Sequence, residues 1–189
     1  MEFHDTGLPG CWRIELTKLG DTRGYFARTY CRETFIAQGL NPDINQSSIS
    51  FSAKRGTLRG LHFQAAPVME DKLVRCLQGC IFDVMVDLRV GSPTFGKWYG
   101  TELDADKGTQ LYGPQGFAHG FQALTDNVVV AYSIGQAYVA EKTSGLRWDD
   151  PEIGINWPLP PSDLSPRDES LPLLSDLDRT QLIAVEVST

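Results

Sequence analysis

The chain has 189 residues, with 17 Lys and Arg against 24 Asp and Glu, a net charge of -7, and 41% apolar and 22% charged residues. That balance is expected of one globular domain, residues 1–189, large enough to bury a core without a disulfide or metal staple. It excludes a broad nucleic-acid or anionic-membrane surface, so a polyanionic ligand would need a local basic pocket.

From the N-terminus, Met1-Glu2-Phe3-His4-Asp5 lacks the basic and apolar regions of a secretory signal. No apolar run reaches the eighteen or so residues of a membrane helix, so a cytoplasmic address and no membrane partner are expected. One short helical stretch falls around Arg32 to Gln38, and the remaining pattern is of short β-prone runs between Gly, Pro, Asn and Asp. These runs cover Lys72 to Leu77, Phe82 to Leu88, Trp98 to Leu103, Gly120 to Leu124 and Val128 to Ile134. In the second, Phe82, Val84, Val86 and Leu88 alternate with Asp83, Met85 and Asp87, which predicts one face on a core and the other toward something polar. Many short strands without helical crossovers predict a sandwich or jelly-roll barrel rather than an α/β fold. The five prolines between Pro158 and Pro172 predict an irregular strap from about residue 158, able to act as a lid. Cys11, Cys31, Cys76 and Cys80 form no CxxC pair and read as reduced structural thiols. Asp149 and Asp150, before Pro151, read as turn formers.

Proton chemistry points first to the histidines, at positions 4, 62 and 119. His62 and His119 both follow glycine in β-prone runs rich in aromatics, where an imidazole can face a cavity and move protons near neutral pH. From position alone, a core histidine held by one hydrogen bond explains each equally well. Strict alternation puts His62 and Gln64 on one face and Arg59 on the other, so a site shared by His62 and Arg59 needs a bulge or twist at Gly60. Taken singly, Lys72 at a strand start reads as a solvated charge, and Tyr132 within a strand as a half-buried packing residue. The chain has no His-x-His pair of the kind common in metal-binding barrels. His62 and His119 with a carboxylate would be the weaker metal alternative.

The motifs carry more together than singly. Gly20-Asp21-Thr22-Arg23-Gly24-Tyr25-Phe26, Gly56-Thr57-Leu58-Arg59-Gly60-Leu61-His62-Phe63-Gln64, Lys72-Leu73-Val74-Arg75-Cys76 and Ser92-Pro93-Thr94-Phe95-Gly96-Lys97-Trp98 occur in order. Pro114-Gln115-Gly116-Phe117-Ala118-His119-Gly120-Phe121, Tyr132 with Tyr138, and the run from Trp148 to Pro158 follow. On these motifs the chain resembles the dTDP-4-dehydrorhamnose 3,5-epimerase family, which acts on dTDP-4-keto-6-deoxyglucose. The resemblance implies a mostly β, cupin-like double-stranded β-helix (jelly-roll) barrel with short flanking helices, no metal and no cofactor. It implies a nucleotide-sugar substrate and a homodimer exchanging N-terminal strands within Arg13 to Tyr30.

The resemblance also implies roles. His62 is the base, Asp168 (or Asp83) its orienting acid, and Lys72, helped by His119, the cation facing the C4 ketone. Tyr132 is the proton-donating phenol, made easier to ionise by a nearby Lys72. Arg23 and Arg59 would meet the diphosphate, with Phe26, Gln46, Ser48 and Tyr138 completing the substrate contacts. Ser48 stands where the family often has an amide, and Ala27-Arg28 where it often has an acid, which leaves the nucleotide base open. Inversion at C3, C5 or both stays open too, as do two other readings: a metal-dependent cupin enzyme such as a dioxygenase or sugar isomerase, and a non-catalytic sugar-nucleotide-binding cupin.

Overall fold

The computed structural model describes residues 1–185. In chain order the strands are β1 (Glu2–Asp5), β2 (Trp12–Glu15), β3 (Lys18–Asp21), β4 (Gly24–Ala27), β5 (Gln46–Ser52), β6 (Leu58–Gln64), β7 (Lys72–Gln78), β8 (Cys80–Asp87), β9 (Trp98–Asp104), β10 (Thr109–Gly113), β11 (Phe117–Ala123), β12 (Val128–Ile134) and β13 (Thr143–Gly145). A six-stranded sheet runs β1-β2-β10-β7-β12-β5 and faces a five-stranded sheet, β13-β6-β11-β8-β9. The hairpin β3–β4 pairs with neither. Among the described residues, every pairing between these strands is antiparallel, the arrangement of a jelly roll.

The core lies between the sheets, where Val74, Leu111, Val128 and Val130 meet Ile81, Met85, Leu103, Phe117 and Phe121. Each such side chain contributes about 1.5–3 kcal/mol of transfer free energy. Outside the six-stranded sheet, helix α1 (Arg32–Ala37) buries Phe35 against Ile14, Leu73 and Tyr112. At six residues and without a side-chain cap at Cys31, α1 depends on that one aromatic anchor rather than on intrinsic propensity. Outside the five-stranded sheet, Leu61, Phe63, Val84 and Val86 are covered by Leu146, Ile153, Leu174 and Leu177 from the C-terminal third.

On Phe82 to Leu88 the acidic face does meet polar partners, His119 for Asp83 and Arg89, Ser92 and Thr94 for Asp87, but it is enclosed rather than open. Asp83 and Asp87 are as buried as Val84 and Val86, because the strap covers one face and the opposite sheet the other. Asp87 is satisfied by Arg89, Ser92 and Thr94, so Ser92-Pro93-Thr94 shapes a turn. Asp150 accepts from the Glu152, Ile153 and Leu174 backbone N–H groups, forming its turn and anchoring the strap. The strap also contains a second helix, α2 (Pro166–Glu169), that the proline count concealed. Pro166 sits in its first turn and Ser165 caps it by accepting from the Asp168 N–H. The four cysteines are free, and burial pushes the Cys76 thiol up to about 11.

The β6–β11 ladder carries the irregularity the site requires. His119 pairs with His62, but Phe121 pairs with Arg59, so one residue of β11 opposes two of β6. Gly60 at this bulge has φ +120°, and a Cβ there would lie 2.6 Å from the Gly120 Cα. The extra residue reverses the parity of β6, and Arg59 and His62 line the same cavity.

Candidate active site

The cavity, about 590 Å³, opens between the two sheets. Its walls have different sources: β6 and β11 of the five-stranded sheet bring Arg59, His62 and His119, while β7 and β12 of the six-stranded sheet bring Lys72 and Tyr132. Helix α2 closes one side with Arg167 and Asp168.

His62 Nε2 lies 2.7 Å from Asp168 Oδ1, across 106 residues of sequence. The second oxygen of Asp168 accepts from the Gly60 N–H at 3.1 Å. Burial pushes the Asp168 carboxyl up, but its hydrogen bonds to His62, Gly60 and Ser165 and the His62 charge outweigh this and hold it below the usual range. The imidazole therefore has a fixed carboxylate behind it, while its side chain stays one-third exposed to the cavity. Asp83, the alternative partner, serves His119 instead, with Oδ1 2.7 Å from Nε2. Asp83 is fully buried, its other oxygen has no hydrogen-bond partner among the described residues, and burial pushes its carboxyl up.

Tyr132 presents its ring to the edge of His119 at 5.9 Å between centroids, and its hydroxyl pairs with Ser50 at 3.0 Å. The expectation that Lys72 makes this phenol easier to ionise is corrected here. Burial, aided by Asp83, pushes the phenol up despite the Ser50 bond. The Lys72 ammonium is engaged elsewhere, 2.6 Å from Glu70 and donating to the His62 carbonyl at 3.3 Å. The phenol is thus a protonated group throughout the neutral range.

Arg59 donates to Ser52 and to the Phe51 carbonyl. Neither Arg59 nor Arg167 has an acidic partner among the described residues. Tyr138 lines the mouth and is exposed. Its N–H donates to the Gln46 side chain, so Gln46 holds the Tyr138 loop rather than lining the cavity. Ser48 lies in a separate depression with Tyr30 and Arg75. Arg23 and Phe26 sit on the β3–β4 hairpin, away from the cavity, with Arg23 paired to Asp21 in solvent.

Sequence reasoning missed Glu70, Ser50 and Arg167. Arg167 could have been found from its place beside Asp168, and Glu70 from the two-residue spacing to Lys72. Ser50 had no signal, because its contact crosses the β5–β12 ladder. Among the described residues, the one group of three His and carboxylate ligands is Glu2, His4 and Glu15, on β1 and β2 and outside the cavity lining.

Residues 5–176 match the family model described as dTDP-4-dehydrorhamnose 3,5-epimerase. The chain is 46% identical to the dTDP-4-dehydrorhamnose 3,5-epimerase of Sinorhizobium fredii, over 94% of this chain and 91% of that one. It is 38% identical to a dTDP-4-dehydrorhamnose 3-epimerase of Streptomyces niveus, over 93% and 85%. The dTDP-6-deoxy-D-glucose-3,5-epimerase of Legionella pneumophila, crystallised with dTDP-4-keto-L-rhamnose, superimposes with a TM-score of 0.93 at 35% identity, over 98% and 99% of the two chains. With its jelly roll and nearly its whole length matched, the chain belongs to the dTDP-4-dehydrorhamnose 3,5-epimerase family.

Proposed function

We propose that this enzyme inverts C3, C5 or both in a dTDP-linked 4-keto-6-deoxyhexose, serving the synthesis of a rhamnose-like deoxysugar, with His62 as base and Tyr132 as acid. The observation that carries this reading is that the Asp168-backed imidazole and the protonated phenol come from opposite sheets across one cavity. A carbon beside the C4 ketone loses its proton to His62, and the charge passes to the ketone oxygen as an enolate. Lys72, with His119 nearby, meets that oxygen with donors already in position, and such donors are worth about a hundred- to thousandfold in rate. Tyr132 then returns a proton to the far face, which is what makes the outcome inversion rather than exchange. Asp168 fixes the imidazole tautomer and steadies its charged form. Arg59 and Arg167, at the cavity and without an acidic partner among the described residues, suit the diphosphate, and Tyr138 offers a ring for the nucleoside base.

We also assign a homodimer as the working form. Among the described residues the hairpin β3–β4 joins neither sheet, and β5 ends its sheet with Ile49 and Phe51 exposed. A second copy would cover these edges and bring Arg23 and Phe26 to a cavity they do not reach within one chain. A reducing, cytoplasmic setting fits four unpaired cysteines, and no helix among the described residues is long and apolar enough to cross a membrane.

The test is incubation with several nucleotide-linked 4-keto-6-deoxyhexoses in deuterated water, with the label located by NMR. Label at inverted C3 and C5 supports a double epimerase, and label at C3 alone supports a 3-epimerase like the Streptomyces niveus relative. Absence of label sinks the reading. Turnover lost on chelation and regained with one divalent ion would favour the metal-dependent alternative.

A further inference from the structure

Glu70 lies in the segment joining β6 to β7 and lines the cavity beside Lys72. Its carboxylate is 2.6 Å from the Lys72 ammonium, and both side chains are about nine-tenths buried. An ammonium has three N–H donors on a flexible four-carbon stem, so one contact does not fix its direction. Here two contacts are present: Glu70 and the carbonyl of His62. The third N–H remains for a ligand in the cavity.

Glu70 is itself held from both sides. Upstream, the Gln64 amide donates to the Val68 carbonyl at 3.1 Å and spans to the Tyr138 loop through Ala137 and Val139. Downstream, Asp71 accepts from Asn41 at 2.9 Å, and its backbone carbonyl accepts from the Gly135 N–H at 3.1 Å. With the backbone tied at Val68 and at Asp71, the short segment that carries the buried Glu70 carboxylate is fixed on both flanks.

We infer that Glu70 is a positioning residue that aims the Lys72 ammonium at the substrate ketone oxygen. This rests on the reading of Lys72 as the cation that meets the enolate. A ketone oxygen gains most of its charge after proton removal, so a misaimed donor costs more in the transition state than in the bound substrate. Loss of Glu70 should therefore lower kcat and leave KM nearly alone.

The experiment compares Glu70→Ala, Glu70→Gln, Lys72→Met and the Glu70→Ala/Lys72→Met double variant in the full-length enzyme, with folding checked by circular dichroism and melting. Glu70→Ala should lower kcat by about tenfold to a hundredfold, the scale of a misplaced catalytic group, with KM changed less than about threefold. Glu70→Gln should recover most of the loss, because its amide oxygen still accepts from the ammonium. In the Lys72→Met background, Glu70→Ala should cause no further fall, the mark of a residue acting only through Lys72. Native kcat in Glu70→Ala, with Lys72→Met inactive, overturns the role of Glu70 and spares that of Lys72. Native kcat in Lys72→Met overturns both. Should Glu70→Ala fail to fold, Glu70→Ser and Glu70→Gln decide together: native kcat in Glu70→Ser, or a kcat loss beyond about tenfold in Glu70→Gln, overturns the proposal.

Discussion

Among the described residues, five cation–carboxylate pairs are two residues apart in sequence and nearly equal in length, and two of them differ sharply in burial. Lys72 and Glu70 are 2.6 Å apart, and Arg23 and Asp21 are 2.5 Å apart. The first pair is almost wholly buried in the cavity, whereas the second has side chains 87% and 52% exposed at the hairpin. Burial decides what each can do. An exposed pair is weakly held and readily trades its carboxylate for another anion, while a buried ammonium without its partner would be strongly unfavourable. The cavity is thus organised within one chain, and the hairpin carries a cation that is free to change partners.

The sharpest break of this contrast is at the cavity. His62→Ala should abolish epimerisation and solvent deuterium exchange together, a loss approaching the roughly ten-thousandfold limit for a positioned proton acceptor. NMR of the labelled sugar reads both at once, and exchange at the native rate would show that another base operates. Tyr132→Phe should separate the two processes, because proton removal continues while far-face return fails. Inversion should fall about a hundred- to thousandfold, with deuterium still entering at the original configuration. Inversion at the native rate would reduce the phenol to a packing residue.

Arg167→Gln should raise KM by about ten- to a hundredfold, the worth of one charge-assisted bond to a phosphate, with a smaller change in kcat. Unchanged KM would remove Arg167 from the diphosphate site. Acid should act through Asp168. Its carboxyl is held below the usual aspartate value, so its pairing with His62 stabilises the fold above about pH 4 and is lost as pH falls through the depressed value. Asp83, pushed up by burial, has the opposite sign and adds nothing to that loss. Melting temperature measured against pH should therefore decline less steeply in acid for Asp168→Asn than for the native chain; parallel curves would contradict the linkage.

The smallest effect is expected at the hairpin. Arg23→Ala should raise KM by only about two- to fivefold, as for an exposed charge, and only under conditions where sedimentation shows a dimer. A fully active monomer would detach the hairpin from the site.

The β runs, the short helix at 32–37 and the family's motifs were legible because period-two patterning and turn residues are local properties of the chain. The charge balance, the turn role of Asp149-Asp150 and the resemblance that singled out His62, Lys72, Tyr132 and Asp168 were legible for the same reason. Tertiary structure decided what depends on distant segments meeting. It gave Asp168 to His62 and Asp83 to His119, although both acids were candidates for one imidazole. It reversed the parity of β6 at Gly60, so that Arg59 and His62 share a wall despite their odd spacing. It buried both faces of β8, turned Lys72 from a solvated charge into half of an enclosed ion pair, and raised rather than lowered the pKa of Tyr132. Each of these follows from burial or from segments that only the fold brings together, and a local sequence window shows neither.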